Sequence, residues 1–159
     1  MRMLRSRRVR RGTALVELVL LMPVYATVFF GTLEFGQIFY DREELTGICR
    51  EGARRAAMGS TLSQIRTAMT NMASNPIRET LTTTQIYIEY NNDPNGTGSW
   101  VNAADNAGGT NNAVPTGYLV RVRIPNWPHR MITGAYFSRA LGSTNSTLNL
   151  NAYEVMMRQ

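Results

Sequence analysis

No lysine occurs in the 159 residues, there is a single cysteine and a single histidine, and from Thr13 to Leu33 only one side chain carries a charge. Each scarcity excludes something. One cysteine, Cys49, permits no intrachain disulfide. It falls among Gly47, Gly52, Ala53 and Ala56 and reads as a small packing residue, with an intermolecular disulfide or a reactive thiol as the alternative. One histidine, His129, inside Trp127-Pro128-His129-Arg130 and without a local Cys or carboxylate cluster, makes no metal site. No catalytic pair and no glycine-rich phosphate loop is visible, so the chain is expected to be no enzyme, with no catalytic residues, metal or cofactor. With lysine missing, arginine carries all the basicity.

That basicity is localised. Arg2, Arg5, Arg7, Arg8, Arg10 and Arg11 precede Gly12 with no acid among them, whereas residues 13–159 balance 11 arginines against 11 acids. The net charge of +6 therefore belongs to the first twelve residues and is no nucleic-acid signal. Placed before a long apolar run, it follows the positive-inside rule and sets the N-terminus in the cytoplasm. The run Thr13–Leu33 would be about 32 Å long as a helix, enough to cross a bilayer core. Its one charge, Glu17, would cost roughly 2.5–3.5 kcal/mol at mid-membrane and less near the end, so it calls for a partner. Pro23 should kink the helix; Gly31 and Gly36 would let neighbouring helices approach. Phe39 and Tyr40 fall where an outer aromatic belt belongs, and Asp41, Arg42, Glu43 and Glu44 mark the exit into water. Glu34 has two readings, a solvated boundary residue or a contact to an adjacent subunit.

The helix is expected to continue to about residue 58. Leu45, Ile48, Cys49, Gly52 and Ala56 share one face, Glu51 can pair with Arg54 and Arg55, and Gly59 is a candidate C-cap. A second helix is expected from Thr61 to about Ser74, capped by Ser60 or Thr61, with Leu62, Ile65, Met69 and Met72 as its apolar stripe. Asn75-Pro76 ends it. Residues 77–83 are a short helical turn or a loop. Strands are expected at 85–90, 118–124 and Thr147–Met156, with Val120, Val122 and Ile124 facing the core and Leu119, Arg121 and Arg123 the other way. Between the first two lies a long loop, 91–117, in which Asp93-Pro94-Asn95-Gly96 is a turn signal. Its Trp100 either folds back onto the domain or contacts a partner. Asp93 and Asp105 are too few and too far apart for calcium. The stretch 124–130 is expected to turn sharply, and the apolar patch Met131–Phe137 to be a short helix or a loop covering the long helix or lying near the membrane.

The ordered set Arg11-Gly12, Val16-Glu17, Met22-Pro23, Glu34 and Arg50-Glu51-Gly52-Ala53-Arg54 resembles the TadE-like pseudopilins of the tight-adherence (Tad, Flp) type IV pilus system. Thr13, where many pilins have a larger apolar residue, departs from the pattern, and nothing beyond residue 59 matches it. The resemblance implies cleavage by a prepilin peptidase between Gly12 and Thr13, and a subunit-registry role for Glu17, the fifth residue after the glycine. A carboxylate there pairs, in low dielectric, with the new α-amino group of a neighbouring helix. The expected fold is α+β and pilin-like. Residues 1–12 form the leader and 13–36 the transmembrane part; 37–59 continue the helix outside the membrane, and 60–159 form a domain with a second helix and an antiparallel sheet. The implied function is that of a minor pilin or pseudopilin in a bacterial inner membrane, with its C-terminal domain periplasmic and Glu34, Gly52 and Arg54 as possible subunit contacts. Implied partners are the peptidase, a Flp-type pilin and a TadF-like sibling. The alternative is an exported or single-pass anchored binding protein with a conventional signal sequence, cut after Val24-Tyr25-Ala26. Glu17 and the apolar run past that cut argue against it.

Overall fold

A computed structural model describes residues 9–131, 134 and 147–159, with side chains from Thr13 onward. The chain divides into two compact units, one up to Gln37 and one from Ile38 to Gln159. The long helix α1, Val9–Ala57, starts a turn earlier than expected and runs through both. In the first unit every residue from Thr13 to Phe30 is exposed, and the helix is long and apolar enough to cross a membrane. Helix continues through Pro23, whose missing N–H leaves the Val19 carbonyl without its amide donor. The Thr27 and Thr32 hydroxyls bond back to the carbonyls of Pro23 and Val28, both at 2.8 Å, which satisfies them in apolar surroundings.

The second unit is an α+β head. α1 ends at Gly59, φ +90°, in a Schellman motif: the Gly59 amide bonds the Ala56 carbonyl and the Ser60 amide the Arg55 carbonyl, each at 3.1 Å. Thr61 then caps α2, Leu62–Met72, in a capping box with Gln64. Ile65 and Met69 are buried as expected, but Met72 is 54% exposed, since it points off the face that meets α1. The ambiguous stretch resolves into α3, Asn75–Thr80, with Pro76 in its first turn, and a 3-10 turn, Thr83–Gln85. The side chain of Ser74, the N-cap of α3, makes no capping bond; Glu44 of α1 instead accepts from its amide (2.6 Å) and hydroxyl (2.8 Å).

Four antiparallel strands follow: β1 Tyr87–Asn91, β2 Trp100–Asn102, β3 Leu119–Arg130 and β4 Thr147–Met157, in the order β2-β1-β3-β4. Two expectations are corrected. The long loop contains a strand, β2, hairpinned onto β1 with Asn91 opposite Trp100. The stretch 124–130 does not turn away; it continues β3 through a bulge between Ile124 and Trp127, with Asn126 at φ +55°. One extra residue shifts the alternation, so that Val120, Val122 and Ile124 are followed inward by Trp127 and His129. Pro125 and Pro128 are tolerated because β1 pairs β3 only as far as Arg123, leaving that side of the strand an edge. The inner sheet face packs with Leu45, Ile48, Cys49, Ala53 and Ala56 of α1 and with Ile65 and Met69 of α2 in one core. Most of the Met131–Phe137 patch lies outside the described residues.

Candidate assembly surface

Gly12 and Thr13 both lie within α1, and Glu17 is exposed on its surface. Glu34 is not a solvated boundary residue, being only 7% exposed. These positions share one long helix that leaves nearly all of its apolar surface uncovered between Thr13 and Phe30.

The Arg50–Arg54 block has a local physical account. Glu51 is a hub: its carboxylate accepts from Nε (2.7 Å) and Nη2 (2.8 Å) of Arg54 and from Nε of Arg55 (2.7 Å). Hydrogen bonds from Arg54 and then Arg55 pull the Glu51 carboxyl down to about 2. Arg50 pairs loosely with Glu154 of β4 at 3.7 Å. Gly52 faces inward, where a Cβ would stand 2.5 Å from Sδ, 3.1 Å from Cγ and 3.2 Å from Cε of Met69. The close approach that Gly52 permits is therefore used within the chain, by α2. Arg54, 52% exposed along its side chain, stays at the surface. Cys49 is fully buried, and burial pushes its thiol up to about 12 against a hydrogen bond with the Ile124 backbone. It is a packing residue and no surface thiol.

Three further polar arrangements were not legible in the sequence. Asp41 of α1 and His129 of β3, 88 residues apart, meet at 2.6 Å (Oδ2 to Nδ1), with His129 buried. Asn112, buried in the long loop, donates to the carbonyls of Ala56 (2.9 Å) and Ser60 (3.0 Å) at the end of α1. On the outer face of the sheet Glu89, 6% exposed, accepts from both Arg121 (Nη2, 2.6 Å) and Arg123 (Nη2, 3.0 Å). Burial, the largest single influence, would raise the Glu89 pKa; the hydrogen bonds and charges of the two arginines together outweigh it, and the net shift is downward. Trp100 folds back onto the domain, its ring 4.2 Å from the Arg121 guanidinium carbon, and Tyr87 lies under Arg123 at 4.8 Å. The alternation of both strands was readable; that Glu89 stands opposite Arg121 required the register.

In the loop, Asp93 accepts from the Thr97 hydroxyl and from the Asn95 amide, which in that order lower its pKa. Among the described residues no group of three His, Cys, Asp or Glu is placed to hold a metal ion.

Among the described residues one helix is long and apolar enough to cross a membrane, and with the α+β head that follows it fits a single-pass membrane anchor. The model of the family described as TadE-like protein matches residues 12–54, and over that stretch the chain is similar to that family, a likeness consistent with a protein of the Tad pilus system. No curated protein and no solved structure matches the chain.

Proposed function

We propose that this chain is a minor pilin or pseudopilin, a non-enzymatic assembly protein of a Tad/Flp pilus. The observation that carries the reading is the family match, which begins at Gly12 and takes in Glu17, Glu34 and Arg54. A prepilin peptidase cuts between Gly12 and Thr13. The basic leader holds the N-terminus in the cytoplasm, the apolar part of α1 spans the inner membrane, and the head lies on the far side. Glu17, exposed on a surface that lipid would cover, pairs with the α-amino group of Thr13 on a neighbouring subunit and fixes the stagger between helices. Flp-type pilins and a TadF-like sibling are the partners, with Glu34 and Arg54 beside the contact. Gly52 contributes indirectly, by holding α2 against α1.

The test is the N-terminus of the membrane-isolated protein, read by mass spectrometry. A start at Thr13 is expected; a start at Thr27 in a soluble fraction would replace the reading with ordinary export. Glu17→Leu should insert normally and abolish piliation, counted by electron microscopy. Wild-type pilus numbers in that variant would refute the registry role.

A further inference from the structure

An antiparallel sheet with one covered face ordinarily turns polar side chains to water on the other. The outer face here sets exposed aromatic and apolar side chains among its polar ones. Register places Tyr87, Arg123 and Tyr153 in one row and Asn102, Glu89, Arg121 and Val155 in the next. Tyr87 is 40% exposed, Tyr153 66%, Val155 37% and Met157 59%. Tyrosine, tryptophan and arginine are the residues enriched at the centres of protein interfaces. The charge on this face is also unbalanced. Glu89 is the one acid on the outward positions of the four strands, and it is shared by two guanidiniums. With Arg130, exposed at the far end of β3, two positive charges are left over; the one shared by Arg121 and Arg123 lies against the rings of Trp100 and Tyr87.

We propose that this face is a docking surface for a partner protein that presents a carboxylate among apolar side chains. Covering Tyr87, Tyr153, Val155 and Met157 removes water from the surplus guanidinium charge, and a desolvated charge is tolerated only when paired. A carboxylate lodged beside Arg123 supplies that pair and fixes the partner's position, while the rings around it supply the contact area. Two surplus charges, with Arg130 seven residues along β3 from Arg123, are too few for a phosphate backbone or an anionic membrane, both of which are met with clustered cations. The assignment does not depend on the pilus reading.

A benzophenone amino acid placed at Tyr153 of the full chain, in the cells that make it, tests this. Met72, exposed on α2, serves as the comparison position. After illumination, the cross-linked peptide is sequenced by mass spectrometry. One partner protein is expected at Tyr153, with Asp or Glu within about three residues of the cross-link. Val155→Glu, which adds an anion across from Arg121 on the edge strand, should lower the yield at least tenfold, and Val155→Lys, which loses the same apolar contact without adding an anion, should lower it no more than about threefold. No adduct above the Met72 level, a scatter of adducts, an acid-free partner segment (including one from a second copy of this chain), a lipid adduct, or equal loss in both Val155 variants would overturn the proposal.

Discussion

Replacing Gly52 by alanine sets two effects of opposite sign against each other in the middle of α1. Helix propensity favours alanine over glycine by about 1 kcal/mol. Packing opposes it: the new Cβ would stand 2.5 Å from Sδ of Met69, and Cγ and Cε lie at 3.1 and 3.2 Å, so the end of the thioether must move as a unit. Met69 is fully buried in the core, so its neighbours there must give way with it. Overpacking of this kind costs roughly 1–3 kcal/mol, and the upper part of that range applies because contact distances would have to lengthen by about 1 Å. The net expectation is a loss of about 1–2 kcal/mol. Gly47, one and a half turns earlier in the same helix, is the control, since a Cβ there meets nothing within 4 Å. Gly47→Ala should therefore gain about 0.5–1 kcal/mol. Denaturant unfolding of the detergent-solubilised full chain, followed by tryptophan fluorescence, gives both values; the buried Trp127 reports on the core. If Gly52→Ala gains as much as Gly47→Ala, the glycine is not there for α2, and the packing account of the Arg50–Arg54 block fails.

Cys49 should resist a maleimide at pH 8 in the folded chain and react fully in denaturant, because the thiol is both buried and held near 12; rapid labelling of native protein would refute its placement. The Glu51 and Glu89 carboxyls titrate below the ordinary value of 4.5. The unfolded chain therefore binds more protons at these sites, and their stabilisation is complete above about 4.5 and fades as pH falls toward 2. The unfolding midpoint should drop over that window, less steeply in Glu89→Gln, and a flat profile would contradict both ion clusters. Asn112→Ala removes two hydrogen bonds at the end of α1 and should cost about 2–3 kcal/mol in the same unfolding assay; a loss under about 0.5 kcal/mol would show that water replaces the amide.

What could be read in the chain beforehand was whatever periodicity encodes. The apolar span, the small-residue face of α1, the capping of α2 and the inward set Val120, Val122 and Ile124 all follow from repeats within a few residues. What stayed hidden depended on pairs far apart. Asp41 gives no local sign of His129, nor Glu44 of Ser74, and the Glu89 cluster exists only once β1 and β3 are in register. Pro125, Asn126 and Pro128 look like the end of a strand, because a bulge beside an unpaired edge has the same residues as a turn. Within the candidate surface, Glu17 announced itself by standing alone in an apolar run, whereas the inward use of Gly52 could not be known without α2.

The end of α1 is held by residues that arrive late. The Ala57 carbonyl accepts from Nη1 of Arg158 (2.9 Å) and from the Gln159 amide (3.0 Å), a separation of 101 residues in the first case. A ribosome adding about 5–20 residues per second needs roughly 5–20 s to supply them after Ala57 is made. Leu45, Ile48 and Cys49 have no sheet to cover them until β1 and β3 are made, and the sheet is complete only with β4 at Met157. The head is therefore most exposed to proteolysis and wrong association while it is being synthesised, and its vulnerability is set by the speed of translation as much as by the stability of the finished fold.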